Sequence, residues 1–299
     1  LSSRRPGSAM ASQSPGAKLK AAYADKCVSV PGVFNALTGI MAERKGFEAI
    51  YLSGAALTAG HGVPDIGLLS LSEFVDATRF ITAKTDLPLL VDADTGFGGP
   101  LNVERTISEF EKAGAAAIQI EDQQLPKRCG HLSGKSLVTS GEMEQKIRAA
   151  AAARSDPDFV IVARTDAVAV EGFDAAVERS LRYLDAGADV IFGEALETED
   201  EFAEFRRRVD APLLANMTEF GRSPLLGRDK LEELGYAIAL FPVSSLRAAM
   251  KAVDELFNQL ADSGSQTHAL DSMQTRAELY DLIEYDGYED RDKQYFGSA

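Results

Sequence analysis

The 299-residue chain lacks features that mark several large classes of protein. It has only two cysteines, Cys27 and Cys129, which are too few for a disulfide framework and favour a reducing compartment, so we expect a cytoplasmic protein. No apolar run reaches the roughly 18 residues that a spanning helix needs, so no membrane association is expected. The formal net charge of -15 disfavours a general nucleic-acid binder, because neutralising phosphates requires clustered Lys and Arg.

Short apolar runs recur along the chain, with helix-patterned stretches between them. This alternation is typical of parallel βα units, and eight units in about 230 residues favour a (β/α)8 barrel of the TIM type over an open doubly wound sheet. No GxGxxG turn follows the first run, so a dinucleotide-binding fold has no support. The predicted strand runs are 27–33, 49–54, 87–94, 116–122, 159–166, 189–195, 212–219 and 237–244.

The chain is predicted to consist of a barrel between two tails. We expect a disordered N-terminal tail over residues 1–15, a catalytic barrel over 16–260 and a C-terminal helical extension over 261–299. The extension is rich in Tyr and Phe, and a terminal segment of this kind is expected to dock on another surface, such as a second subunit.

Almost every predicted strand turns from apolar to polar at its C-terminal end. In a barrel these ends meet at one mouth, the face where barrels hold their active sites. Strand ends are also polar simply because they enter solvated loops, so each residue alone is ambiguous, but the whole set indicates a functional site. The residues are Ser53, Asp92, Asp94, Glu121, Asp122, Arg164, Asp166, Glu194, Asn216, Thr218 and Ser244.

The end of the third run predicts a metal site. Asp92 and Asp94 are two residues apart, so on a strand their side chains point to one face. Two neighbouring carboxylates repel each other, and an all-oxygen ligand set favours Mg2+, with Mn2+ also possible, over Zn2+. Glu121 and Asp122 are candidates to hold metal-bound waters. The alternative is a solvated turn whose acids cap helices, since this spacing alone is a weak signal.

The stretch "EDQQLPKRCGHLSGK", residues 121–135, concentrates cations and a thiol in an acidic chain. It follows the fourth predicted strand and therefore forms a loop over that strand's end. With "DADTGFGG" before it and "ARTDA" after it, the chain resembles the isocitrate lyase and phosphoenolpyruvate mutase superfamily from about residue 15 onward. "YLSG", "PDIG", "TEFG" and "MQTRAELY" resemble its 2-methylisocitrate lyase subgroup.

The resemblance implies cleavage of 2-methylisocitrate to pyruvate and succinate with bound Mg2+, in propionate catabolism by the methylcitrate cycle. In that family pattern Cys129 would protonate the succinate carbanion, and Tyr51 is a candidate base for the substrate hydroxyl. His131 and Arg164 would stabilise the leaving aci-carboxylate. The metal would be held by Asp92 and Asp94, with Asp65 and Glu121 nearby. The substrate-binding residues would be Ser53, Gly54, Gly130, Arg164, Glu194, Asn216, Thr218 and Arg247.

Several alternatives stay open at this point. Oxaloacetate hydrolases and 2,3-dimethylmalate lyases also carry "KRCGH", and "HLSGK" somewhat resembles those groups. Phosphonate mutase chemistry is disfavoured because those enzymes lack the Cys motif. A barrel that binds dicarboxylates without turnover is the non-enzymatic alternative. The resemblance also implies a homotetramer in which the C-terminal helix is exchanged between subunits, with a small di- or tricarboxylate as the ligand.

Overall fold

The computed structural model describes residues 13–128, 130–131 and 134–297. All eight predicted runs form strands, and the strands close into a parallel barrel in chain order, which confirms the predicted (β/α)8 architecture. The strands are β1 (Val28–Val33), β2 (Ile50–Leu52), β3 (Leu89–Asp92), β4 (Ala117–Glu121), β5 (Val160–Thr165), β6 (Val190–Gly193), β7 (Leu213–Asn216) and β8 (Ile238–Phe241).

Helices surround the barrel and extend beyond it. Short 3-10 turns lie at Ala167–Ala169 and Thr267–Ser272. The α-helices are α1 (Pro15–Tyr23), α2 (Ala36–Arg44), α3 (Gly54–Gly60), α4 (Leu71–Thr82), α5 (Pro100–Lys112), α6 (Ser140–Ala153), α7 (Phe173–Ala186), α8 (Glu199–Arg208), α9 (Arg228–Glu233), α10 (Ser244–Ser263), α11 (Arg276–Leu282) and α12 (Tyr285–Phe296).

Glycines end the helices that precede β4 and β6, as the Ala-Gly-Ala signals predict. Gly114 follows α5 with a φ of 86°, and Gly187 caps α7 with a φ of 113°. Only glycine takes this left-handed conformation without steric cost, so each helix stops and the chain turns into the next strand. These two turns let β4 and β6 run in the same direction, so their C-terminal ends reach the same mouth of the barrel.

Two apolar layers hold the barrel together. Strand residues alternate between them: Leu89 and Val91 pack outward against the helices, whereas Leu90 packs into the barrel interior. Leu19 of α1 belongs to the interior cluster, so this helix covers the N-terminal end of the barrel. Most of the buried polar residues lie toward the C-terminal end.

The C-terminal helices pack little against the barrel within one chain. α10 has no buried residue, and Glu284, with a φ of 56°, separates α11 from α12. The exchange of this extension between subunits stays a prediction. Among the helices of the described residues, none combines the length and the apolar character that crossing a bilayer requires.

Candidate active site

A single pocket at the C-terminal mouth collects most of the predicted site residues. Apolar side chains of Phe192, Leu240, Pro242 and Val243, which the sequence reasoning did not single out, form part of its wall. Cys129 lies outside the described residues. The predicted site residues that line the pocket are Tyr51, Ser53, Asp65, Asp92, Glu121, Gly130, His131, Arg164, Glu194, Asn216, Thr218 and Arg247.

Asp92 and Asp94 converge, but not by the alternation of a strand. β3 ends at Asp92, and Asp94 lies in the following turn with a φ of 48°. The backbone N–H groups of Gly54 and Asp94 each donate to the Asp92 carboxylate at 3.0 Å. A Cβ atom on Gly54 would lie 2.8 Å from Asp92 Oδ2 and 3.2 Å from Asp94 Oδ1, so the two carboxylates approach the same point.

Lys127 lies inside this group of carboxylates. Its Nζ is 2.6 Å from Asp94 Oδ1 and 2.7 Å from Asp65 Oδ1, and its side chain is 3% exposed. Burial alone would lower the pKa of Lys127, but Glu121, Asp92 and the two contacted aspartates together raise it well above its ordinary value. Lys127 therefore stays charged and compensates part of the negative charge around it.

The remaining negative charge is not fully compensated. Burial raises the pKa of Asp94, with Asp92 adding to the effect, and burial also raises the pKa of Glu121 against the opposing influence of Arg164 and Lys127. Glu121 Oε1 is buried without a hydrogen-bond partner among the described residues. A carboxylate group with raised pKa values and an unpaired buried oxygen has capacity for a further cation.

These residues fit Mg2+. The donors are carboxylate oxygens, the hard ligands that Mg2+ prefers. Within the described residues, no set of three or more His, Cys, Asp and Glu side chains forms a ready-made cage. Mg2+ usually keeps several waters and takes one or two carboxylates from the protein, so Asp92 and Asp94 would suffice to anchor it.

The opposite side of the pocket is built around Arg164, at the end of β5. Its Nε and Nη2 donate to Asp166 at 2.9 and 3.1 Å, while Nη1 lies 3.2 Å from Glu121 and Nη2 lies 3.2 Å from Glu194. The guanidinium also stacks over Phe192, 5.2 Å from the ring centroid. Burial would lower the pKa of Arg164, but the three carboxylates outweigh this effect and raise the pKa well above its ordinary value.

Glu194 joins Arg164 to the loop above the pocket. His131 Nδ1 accepts the Arg222 N–H at 3.0 Å, so the neutral ring carries its proton on Nε2, which lies 3.2 Å from Glu194 Oε1. The Asn216 amide donates to the same carboxylate at 3.3 to 3.4 Å. Burial would raise the pKa of Glu194, but Arg164 and His131 lower it below its usual range.

Tyr51 and Arg247 both line the pocket, but Tyr51 is buried and Arg247 is partly exposed to solvent. The buried Tyr51 hydroxyl donates to Gln119 Oε1 at 2.8 Å, and burial, reinforced by Asp92, raises its pKa well above the ordinary value. The role of Tyr51 as a base for the substrate hydroxyl stays a prediction. Arg247 is half-exposed, with its Nε 3.6 Å from Glu219.

Asp122 is not at the metal site, contrary to the sequence-based expectation. Its carboxylate accepts hydrogen bonds from Thr165 Oγ1 and the Tyr183 hydroxyl, both at 2.7 Å, and from the Asp166 N–H at 3.0 Å. Glu121 and Asp122 are adjacent at the end of β4, so their side chains point to opposite faces. Asp122 therefore supports β5 from behind the pocket.

Comparisons with known proteins identify the family of the chain. Residues 19–261 match the family profile described as phosphoenolpyruvate phosphomutase. The chain is 54% identical to a 2-methylisocitrate lyase of Aeropyrum pernix over 89% of this chain and 86% of that protein. It is also similar to the crystal structure of a 2,3-dimethylmalate lyase, with a TM-score of 0.89, 34% identity and coverage of 96% of this chain and 97% of that one. A phosphonopyruvate hydrolase in complex with oxalate and Mg++ gives a TM-score of 0.87 at 32% identity, over 95% of this chain and 100% of that one.

Proposed function

The chain belongs to the phosphoenolpyruvate phosphomutase family, and from that premise we propose that it is a Mg2+-dependent carbon-carbon lyase that cleaves 2-methylisocitrate into pyruvate and succinate. The observation that carries this proposal is the division of one pocket into two parts. Asp92 lines one side, with the Asp94 carboxylate behind it near the same point, and Arg164 and His131 line the other. The identity of 54% to a 2-methylisocitrate lyase supports the choice of substrate.

The reaction requires two proton transfers and one bond cleavage. A base removes the substrate's hydroxyl proton, and the electrons of that O–H bond form the carbonyl of pyruvate as the carbon-carbon bond breaks. The electron pair of the broken bond stays on the succinate fragment, which an acid then protonates. Mg2+ held by Asp92 and Asp94 would lower the pKa of the hydroxyl and stabilise the new carbonyl.

The chain's own residues bind the substrate and move its protons. The Ser53 and Gly54 region at the start of α3 is proposed to hold the pyruvate-like carboxylate, next to Asp92. Arg164 is paired with Glu194, and His131 Nε2 lies 3.2 Å from the same carboxylate. Donors whose positions are preorganised in this way stabilise a developing negative charge. Cys129 is proposed as the acid that protonates the succinate fragment.

The substrate separates this proposal from its closest rivals. Cleavage of 2,3-dimethylmalate or oxaloacetate uses the same pocket chemistry, and a single methyl group is worth only about 1 to 3 kcal/mol in an apolar pocket. The 2,3-dimethylmalate lyase shares 34% identity with this chain, compared with 54% for the 2-methylisocitrate lyase, and we favour the latter activity for this reason. A cytoplasmic homotetramer acting in propionate catabolism is part of the same proposal.

The experiment is a substrate panel that measures release of the keto acid or of glyoxylate, and for oxaloacetate the loss of the keto acid itself. 2-Methylisocitrate, isocitrate, 2,3-dimethylmalate, oxaloacetate and phosphonopyruvate are each assayed with Mg2+ and with EDTA. We expect the highest kcat/KM for 2-methylisocitrate, loss of turnover in EDTA and recovery when Mg2+ is added in excess. Turnover that persists in EDTA would refute the role of the metal, and a preference for phosphonopyruvate would refute the lyase assignment.

Two variants test the residues in this proposal. Cys129→Ser should lose turnover while Mg2+-dependent succinate binding persists, because a serine hydroxyl is a much weaker acid than a thiol. Asp158→Asn is the control, since Asp158 pairs with Lys20 at the surface, near the opposite end of the barrel. A fully active Cys129→Ser enzyme would contradict the assignment of the acid.

A further inference from the structure

Lys135 is a buried cation close to the pocket that the proposed mechanism does not use. It lies between β4 and α6, in the loop that follows β4, and its side chain is 1% exposed. Its Nζ donates to Asp166 Oδ1 at 2.8 Å and to the carbonyl oxygen of Gly130. Burying an ammonium group is costly unless it is paired, so these two contacts determine what Lys135 does.

The first contact connects Lys135 to Arg164. Asp166 Oδ1 also accepts from Arg164 Nη2 at 3.1 Å, so one carboxylate oxygen is shared by two cations. Arg164 otherwise faces three carboxylates alone, those of Asp166, Glu121 and Glu194. Lys135 compensates part of the Asp166 charge, and this reduces the pull of Asp166 on the guanidinium.

The second contact fixes the backbone of the loop. A Cβ atom on Gly130 would lie 2.5 Å from Arg164 Nη2 and 2.5 Å from Glu194 Cγ, so the Cα of Gly130 packs directly against this ion pair. Lys135 holds the carbonyl of the same residue. The position of Gly130 relative to Arg164 is therefore set from two sides, by direct packing and through Lys135 and Asp166.

We propose that Lys135 is a positioning residue, which sets Gly130 and the Arg164 guanidinium relative to each other at the substrate-facing wall of the pocket. The inference rests on the proposed function, because it assigns Arg164 to the substrate. Lys135 does not line the pocket, so it acts through its two partners. A purely structural role would change the stability of the protein, but it would not make kcat depend on a cationic donor at position 135.

The test compares Lys135→Met and Lys135→Arg with the wild-type enzyme. We measure kcat and KM for pyruvate release and the thermal midpoint. Lys135→Met should lower kcat by about 100-fold, a loss typical of displaced substrate-binding groups. Lys135→Arg keeps a cationic donor and should retain kcat within about tenfold of the wild type. Lys135→Gln replaces the Met variant, with the same criteria, if the latter does not fold.

Lys20 supplies the matched control. Its Nζ also contacts one carbonyl oxygen and one carboxylate, of Pro157 and Asp158, at 3.3 and 3.1 Å, but it lies on α1 and away from the pocket. Lys20→Met should leave both kinetic constants unchanged. The proposal is overturned if a folded Lys135→Met or Lys135→Gln keeps its kcat within about threefold of the wild type, or if Lys135→Arg is folded but as slow as Lys135→Met.

Oxalate binding in the presence of Mg2+ separates failure of this inference from failure of the proposed function. If the wild type releases no pyruvate but binds oxalate, and Lys135→Met weakens that binding at least tenfold, the lyase proposal fails and the positioning role stands. If the wild type is active and the variant binds oxalate and turns over normally, only the positioning role fails.

Discussion

Replacing Tyr183 by Phe removes a buried hydroxyl that donates to the Asp122 carboxylate and accepts from Arg179 Nη1 at 3.0 Å. The Tyr183 hydroxyl donates to Asp122 Oδ2 at 2.7 Å, and the side chain is fully buried. A hydrogen bond to a charged group contributes about 1.5 to 3 kcal/mol. Asp122 Oδ2 keeps Thr165 Oγ1 at 2.7 Å and Arg179 Nη1 at 3.3 Å, and Arg179 keeps its pair with Glu171. Because both charged partners keep other contacts, we expect the loss of the two bonds to lower the free energy of unfolding by about 2 kcal/mol.

Tyr236→Phe is the matched control. Tyr236 is also buried, but its hydroxyl donates at 3.1 Å to a neutral acceptor, the Phe202 carbonyl oxygen. A neutral hydrogen bond contributes about 1 kcal/mol, so the two variants should differ by about 1 kcal/mol in urea unfolding followed by circular dichroism, with unchanged m-values. If Tyr183→Phe costs no more than Tyr236→Phe, Asp122 does not act as a charged acceptor and the reasoning fails.

Two further predictions concern close packing and burial. Gly130→Ala places a Cβ atom 2.5 Å from Arg164 and Glu194, so kcat/KM should fall by about 100-fold. Gly141→Ala is the control and should be neutral, because no atom lies within 4 Å of the added Cβ. A fully active Gly130→Ala enzyme would contradict the close contact. Burial raises the pKa of the Cys27 thiol to about 12 from 9.0, so the unfolded chain loses this proton first and stability should fall as pH rises from 9 to 12, which urea midpoints at each pH measure. Cys27→Ala should make that fall shallower, and an unchanged pH profile would refute the thiol's contribution.

The sequence predicted the barrel because the pattern of a parallel sheet is local. Buried parallel strands are short continuous apolar runs, and a glycine after some of the helices marks where the next run begins, as Gly114 does before β4 and Gly187 before β6. The convergence of Asp92, Arg164 and Glu194 was predictable for the same reason, since strands that run in one direction bring their ends to one mouth.

Partners across the pocket were less predictable, because they depend on paths that loops take in space. Lys127 pairs with Asp65 and Asp94, and the sequence did not predict this pairing. Lys135 was not singled out, although it belongs to the same "KRCGHLSGK" stretch. Strand alternation could have separated Glu121 from Asp122 in advance. The raised pKa of the Tyr51 phenol depends on Asp92 and on complete burial, and neither can be predicted from the residue itself.

The charges of the pocket give a physical reason for a divalent cation. The buried cations Lys127, Lys135 and Arg164 already contact carboxylates at 2.6 to 3.2 Å, so they cannot neutralise a trianionic substrate without weakening those pairs. Moving an ion pair apart in a buried site is costly, since each charge left behind is desolvated. The positive charge of the side chains is already paired with carboxylates, so Mg2+ bound by Asp92 and Asp94 would supply additional positive charge. It would do so beside the substrate hydroxyl. In the proposed mechanism Mg2+ thus supplies the charge that binding a polyanion requires, and Arg164, held by its carboxylates, meets the charge that develops during cleavage.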